Sequence, residues 1–405
     1  MADPSGDPML PALLRLLQES HIATPDHIPA ALQAAAAQLG WTTSLYLADY
    51  EQRRLVPVPP AGTSTDREPR GIDSSLAGVA FQRVRPMHSR DDPTRVWVPL
   101  VDGVERLGVI EVRLPPGTDP DRPELDRRMR LLALLTAHLV TVKMPYGDGL
   151  DGHRRSRPRT VAAELIWQLL PPTTFGCEGL VVSGVLEPCY EVAGDVFDYS
   201  VTGPTAYLLL LDPSGHDLAS GALGAAALSS ARKARREGHD LEAAVEMIDE
   251  TVTKHFSDEQ FVTGVLAELD LPSGRLRFVN AGHPAPLLMR EGKVVKTLDS
   301  GRRPVLGLGR YGQTSVACEQ LEPGDRIVLY SDGVTEARSP AGGFFGLDRL
   351  VDTLARGAAA EHRAPETLRR VVRDVLEYQG GVLQDDATLL FAEWSSGAEQ
   401  RLFPI

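Results

Sequence analysis

Two apolar runs in this chain lead directly into an aspartate. Residues 206–211 (AYLLLL) are continuously apolar, as expected of a strand buried on both faces, and they run into Asp212. Residues 326–331 (RIVLYS) repeat the arrangement and run into Asp332. Asp195, in EVAGDVFDY, sits on what reads as a neighbouring strand, and Asp385 and Asp386 stand directly before ATLLFAEW, a final apolar strand. A lone aspartate at a strand end ordinarily caps a turn or faces water. A converging set behaves differently, because like charges a few ångströms apart cannot all ionise without a compensating cation. All-oxygen donors select hard ions such as Mg²⁺, Mn²⁺ or Ca²⁺ over zinc. Whether these aspartates converge is decided by the fold, not by composition or periodicity.

With 405 residues the chain is too long for one ordinary domain. Its net charge of -13 repels nucleic acid and anionic lipid, so neither is expected as a partner. No apolar run approaches the roughly 20 residues that span a bilayer, and Met1-Ala2-Asp3-Pro4 lacks the basic start and apolar core of a signal peptide. Cys177, Cys189 and Cys318 are scattered and odd in number, which fits a reducing compartment. The expectation is a cytoplasmic protein whose cysteines pack as small apolar side chains. None has an arginine six positions on, so cysteine-dependent phosphatase chemistry is excluded.

Periodicity divides the chain in three. Residues 10–145 form a first unit with two N-terminal helices, a hairpin turning at Asp49-Tyr50-Glu51-Gln52, a second strand pair around Asp102-Gly103 and a long helix over 121–144. Residues 146–172 are read as a linker and connector helix: a Gly-, Pro- and charge-rich stretch, then RTVAAELIWQLL, stopped by Pro171-Pro172. Residues 173–396 carry mostly short apolar strands, with helical stretches near 218–237, 240–256 and 347–377. Two leucine-rich stripes flank the linker. Leu125, Met129, Leu132, Leu135, Leu139 and Val142 lie before it, and Val161, Leu165, Ile166, Leu169 and Leu170 after it. They predict either packing on the chain's own sheet or a homodimer through residues 121–170.

The first unit resembles a GAF domain, a small-molecule sensing or dimerising module, through SSLAGVAFQRVRPMH (74–88) followed by VWVPLVDGVERLGVIEVR (96–113). It holds no cysteine for a thioether-linked bilin, and His21, His27 and His88 read as surface residues.

Residues 159–394 resemble the metal-dependent (PPM-type) protein phosphatases, in the SpoIIE/RsbU-like branch. The matching stretches come in that family's order: AAELIWQLLP, EVAGDVFDY, LDPSGHDLASGAL, FVTGVLAELD, RLRFVNAGHPAPLL, RPVLGLG, LEPGDRIVLYSDGVTEAR and QDDATLL. The resemblance implies an α+β fold, a sandwich of two antiparallel sheets flanked by helices, with two Mg²⁺ or Mn²⁺ ions at one edge. It implies that Asp212 bridges both ions and that the Pro213 carbonyl is a further ligand. Asp195 would serve one ion, with Asp332 and Asp385 serving the other. Asp212 and Asp332 are then the catalytic pair, and Asp386 is a neighbour of the ligands. The implied activity is hydrolysis of phosphoserine or phosphothreonine on a protein, in this branch a STAS-type anti-sigma-factor antagonist.

Two departures stand out. Ala193-Gly194-Asp195 replaces the family's Gly-Gly-Asp, and Ser214-Gly215-His216-Asp217 replaces S-G-H-G. Asp217 adds negative charge beside the expected ions, which leaves open a catalytically weak scaffold that binds phosphorylated partners. His216 and His283 are the candidate general acids, with His283 alternatively holding the turn of NAGHPAP.

Overall fold

The computed structural model describes residues 7–187, 190–191, 194–308 and 314–397. Cys189 and Ala193 lie outside them. The chain forms two compact units that divide between Arg157 and Pro158.

Unit one is a six-stranded sheet with helices on both faces. Its elements are α1 (Met9–His21), α2 (Ile28–Ala37), β1 (Thr42–Ala48), β2 (Arg54–Val58), β3 (Arg70–Gly71), α3 (Leu76–Arg83), β4 (Met87–His88), β5 (Arg95–Asp102), β6 (Glu105–Arg113), α4 (Pro123–Lys143) and α5 (Asp148–Arg154). The strand order is β3-β2-β1-β6-β5-β4, with every pairing antiparallel. Helices α1, α2 and α4 bury one face of the sheet with Leu16, Leu32, Met129, Leu132 and Val140. Helix α3 covers the other with Ala77, Ala80 and Phe81.

This packing resolves the leucine stripe. Met129, Leu132 and Leu139 are buried in the core of unit one, with Leu125 and Leu135 packed against it. Most of this stripe is thus committed to its own sheet, while Val142 stays exposed. The expected bare linker also departs from expectation. Residues 148–154 form α5, whose Leu150 is fully buried, and Arg154 Nε donates to the Ala48 carbonyl at 2.9 Å.

Unit two begins with α6 (Val161–Leu169), capped by the Thr160 hydroxyl, which accepts from the Ala163 N–H. It continues through β7 (Thr174–Cys177), β8 (Leu180–Glu187), β9 (Val196–Thr202), β10 (Thr205–Pro213), α7 (Leu218–Arg236), α8 (Leu241–His255), β11 (Val262–Asp270) and β12 (Arg275–Ala281). Then follow β13 (Leu287–Arg290), β14 (Lys293–Thr297), β15 (Arg302–Arg303), β16 (Ala317–Gln320), β17 (Arg326–Tyr330), α9 (Asp332–Thr335), α10 (Gly346–Ala359), α11 (Ala364–Tyr378) and β18 (Ala387–Trp394). The helical region expected over 347–377 is two helices, since a break at 360–363 lets α11 turn back against α10.

One sheet runs β15-β12-β11-β10-β9 with β16 on β12; the other runs β14-β13-β17-β18-β8-β7. Side chains alternate on the second sheet as the pleat requires. Ile327, Leu329, Leu390 and Ala392 join a core shared with β9–β12, while Val328, Leu389 and Phe391 face α10 and α11. Helices α7 and α8 close the other side of the shared core through Leu223, Leu228, Val245 and Ile248. Unit two is thus a helix–sheet–sheet–helix sandwich. Among the described residues no helix is long and apolar enough to cross a membrane. Cys177 is half-buried, but Cys318 is exposed on β16, so the expectation of three packed cysteines fails there. Among the described residues β16 pairs with β12 alone at its end of the sheet.

Candidate metal centre

The fold brings the strand-end aspartates to one edge of the sandwich. Asp212 and Pro213 are the last residues of β10, and Asp195 directly precedes β9, the antiparallel neighbour of β10. Asp332 opens α9 straight after β17, and Asp385 and Asp386 precede β18, which pairs with β17. Each sheet therefore contributes two of the four expected ligand aspartates, and β10 adds the Pro213 carbonyl.

Close backbone approach holds them there. A Cβ on Gly333 would meet the Asp386 carbonyl oxygen at 2.0 Å, so only glycine lets α9 sit against that strand entry. Gly194 is equally enclosed, with a Cβ placed 2.3 Å from Ser220 Oγ. Ser331 Oγ donates to the Asp386 carbonyl at 3.0 Å and accepts from the Thr388 N–H at 3.0 Å, which ties the end of β17 to the start of β18.

Asp386, expected as a neighbour of the ligands or at most a support behind them, is a clamp between the sheets. Its Oδ2 accepts from the N–H groups of Gly194 (2.9 Å) and Asp195 (3.1 Å), so a residue at the start of β18 fixes the backbone that carries Asp195. Asp198, the other aspartate of EVAGDVFDY, is bound to Arg232 (2.6 Å) and Arg235 (2.9 Å) of α7 and is structural.

The electrostatics record the crowding. Burial, then the charges of Asp212 and Asp386, push the Asp195 carboxyl well above its ordinary pKa, against the opposing effect of the Thr388 and Ser331 hydroxyls. Burial, then Asp332, Asp385 and Asp386, raise Asp212 to about 7, with Thr263 acting in the other direction. Asp332 is also raised, by burial first and then by Asp385 and Glu336. These carboxylates thus lie near enough to disfavour one another's ionisation. Among the described residues, however, no three acidic, histidine or cysteine side chains are already gathered at ion-holding distance. Asp195 Oδ2 is buried without a hydrogen-bond partner, the state of an acceptor whose natural partner is a cation. The all-oxygen donor set, its mutual repulsion and this orphaned oxygen fit a hard divalent ion.

The remaining sequence-derived candidates separate. The Pro213 carbonyl accepts from Ser220 Oγ at 3.3 Å, which leaves its second lone pair for another partner. Asp217 does not stand at a strained position: its φ of -129° is extended, and Gly215 takes the left-handed conformation at +99°. Its carboxylate caps α7, accepting from Ala219 N (2.9 Å) and Ser220 N (3.2 Å). His216 is exposed on the same loop. His283 is buried, and burial lowers its pKa to about 4. The Tyr330 carbonyl opposes that shift without meeting hydrogen-bond geometry at Nε2. A ring that is neutral at pH 7 carries no imidazolium proton, which fits the alternative role of holding the NAGHPAP turn. Its neighbour Thr263, which contacts both His283 and Asp212, escaped the sequence reading. Only the β10–β11 register, pairing Asp212 with Thr263, singles it out.

Residues 203–395 match the model of the Stage II sporulation protein E (SpoIIE) family. The matched stretch lies wholly within unit two. The chain is 31% identical over 144 residues to Protein IcfG of Synechocystis sp., covering 35% of this chain and 22% of that protein. It is 23% identical over 262 residues to Phosphoserine phosphatase RsbU of Bacillus subtilis, covering 62% of this chain and 77% of that protein. Among solved structures, the SiaA-PP2C domain of Pseudomonas aeruginosa aligns with a TM-score of 0.46 and 23% identity, over 53% of this chain and 85% of that one.

Proposed function

We propose that unit two hydrolyses phosphoserine or phosphothreonine on a protein partner, using two Mg²⁺ or Mn²⁺ ions held by Asp195, Asp212, Asp332, Asp385 and the Pro213 carbonyl. The reading rests on aspartates from both sheets that raise one another's pKa around an unpartnered buried oxygen of Asp195. Asp212 would bridge the ions, Asp195 would serve one, and Asp332 with Asp385 the other. Bound there, the ions supply an activated water near neutral pH and neutralise the phosphoryl oxygens. The chain's own part is positional. Asp386 fixes the Asp195 backbone, Ser331 locks the two strands that deliver Asp332 and Asp385, and Asp217 seats the loop after Asp212 on α7. Asp385 and residues 215–217 are exposed, which leaves a side open to a protein-borne phosphoryl group.

In this reading the substrate is a phosphorylated STAS-type anti-sigma-factor antagonist, as the SpoIIE/RsbU-like resemblance implies. Unit one is a GAF-like sensory or dimerising module, a role its helix-covered antiparallel sheet supports, and the protein acts in the cytoplasm. A homodimer belongs to the same reading, though most of the α4 stripe is committed to its own sheet. Asp217, the motive for the scaffold alternative, has a structural use as the cap of α7.

Phosphate release from a phosphoserine protein, with Mn²⁺ and then with excess EDTA, tests the proposal. Turnover that chelation abolishes is expected. Turnover that survives EDTA would overturn it, and tight phosphopeptide binding without turnover would favour the scaffold reading.

A further inference from the structure

Asp212 is the carboxylate on which both expected ions depend, and among the described residues it is held by one side-chain hydroxyl. Thr263 lies directly across from it in the β10–β11 register, and Thr263 Oγ1 donates to Asp212 Oδ2 at 3.4 Å. The same hydroxyl oxygen lies 2.8 Å from His283 Nδ1. A hydroxyl carries one proton. If that proton goes to the carboxylate, the oxygen must accept from the ring, which places the proton of the neutral imidazole on Nδ1.

The ring is held in place by its own turn. His283 is 2% exposed, and its backbone is gripped at both ends by the buried Asn280. The His283 N–H donates to Asn280 Oδ1 at 2.8 Å, and Asn280 Nδ2 donates back to the His283 carbonyl at 2.9 Å. The turn between them closes through Gly282 at a φ of +69°, where a Cβ would strike Val305 at 2.5 Å. The histidine is thus presented to Thr263 by a rigid corner of the fold, and the Tyr330 carbonyl on its far side falls outside hydrogen-bond geometry at Nε2.

We propose that Thr263 and His283 form a hydrogen-bonded brace that sets the orientation of the Asp212 carboxylate for the ions. Both are positioning residues, acting through the Asp212 carboxylate. The brace rests on the metal reading of Asp212, and metal binding is therefore measured directly. Groups that orient a ligand from behind it are typically worth roughly ten- to a hundredfold in metal affinity.

The test is Mn²⁺ titration calorimetry on the full chain, with the melting temperature of the metal-free protein as a check on folding. Thr263→Val keeps the shape and removes the hydroxyl. It should weaken Mn²⁺ binding by about tenfold or more at an unchanged melting temperature. Thr263→Ser restores the hydroxyl and should recover most of that loss. His283→Leu should weaken binding in the same direction, and adding it to Thr263→Val should cost nothing further, because the two act in series. Should His283→Leu fail to melt cooperatively, the Thr263 pair decides alone. Wild-type affinity in a folded Thr263→Val variant would overturn the brace, as would losses that multiply in the double variant. Failure of the wild-type protein itself to bind Mn²⁺ would instead overturn the metal reading on which the brace stands.

Discussion

Asp332 enters the site from the first turn of α9, where Gly333 lets it press against the Asp386 carbonyl. Asp332→Asn removes a ligand charge while keeping the shape, so turnover at saturating Mn²⁺ should fall by about a hundredfold or more in a protein that still folds. Activity within a few-fold of wild type would remove Asp332 from the ligand set. Asp217 carries a different expectation. As the N-cap of α7 it should cost about 1 kcal/mol of stability when changed to Ala, but only a few tenths when changed to Gly. Turnover of Asp217→Gly should be unchanged or higher, and a large loss in a kinetic assay would give this carboxylate a catalytic role. Asp212 makes the fold pH-sensitive. Its pKa rises from 3.8 to about 7 on folding, so the folded state holds the extra proton between those values. That stabilisation is complete below about pH 4 and is lost as the pH rises through 7. The metal-free protein should therefore lose melting temperature between pH 5 and 8 from this group. The gain on adding Mn²⁺ should be larger at pH 8 than at pH 6, since the ion displaces the proton. An Mn²⁺ shift independent of pH would contradict the crowded-carboxylate account.

At the scale of elements, the site is a meeting of loop ends held by contacts the sequence states only in part. The strands β10, β17 and β18 were legible because a run such as AYLLLL or ATLLFAEW has few other fates than burial in a sheet. The aspartates were legible as ends of those runs. What periodicity leaves out is register and approach. Thr263 became a partner of Asp212 only through the β10–β11 pairing, and Asp386 became a clamp only because β18 lies beside the turn at Gly194. Surface against core was likewise undecidable for the α4 stripe, since the same spacing serves a dimer seam or the chain's own sheet. The clamp carries its own prediction. Gly333→Ala puts a methyl group 2.0 Å from the Asp386 carbonyl, so α9 must move. Thermal melting should show a loss of about 1–3 kcal/mol or more, with weaker Mn²⁺ binding. A variant that melts and binds like wild type would show that the approach is slack.

Across the whole molecule, the two units have separate cores, and the boundary at Arg157 and Pro158 leaves α6 with the second. The doubly substituted Leu135→Glu, Leu139→Glu chain separates the two fates of the α4 stripe. Leu139 is buried in unit one and Leu135 packs against that core, so the change should unfold unit one rather than release monomers from a dimer. Calorimetry showing an early melting step for unit one, with that of unit two intact, would agree; a fully folded chain that merely halves its mass in light scattering would favour the dimer seam.

The central claim is that Asp195, Asp212, Asp332 and Asp385 gather around two divalent ions. An anomalous difference map from a crystal soaked in Mn²⁺ tests it most directly. Two peaks among those four carboxylates, with Asp212 between them and the orphaned Asp195 Oδ2 drawn onto one, is the predicted result. A map with no peak at this edge, or with the ions bound elsewhere in the chain, would contradict it.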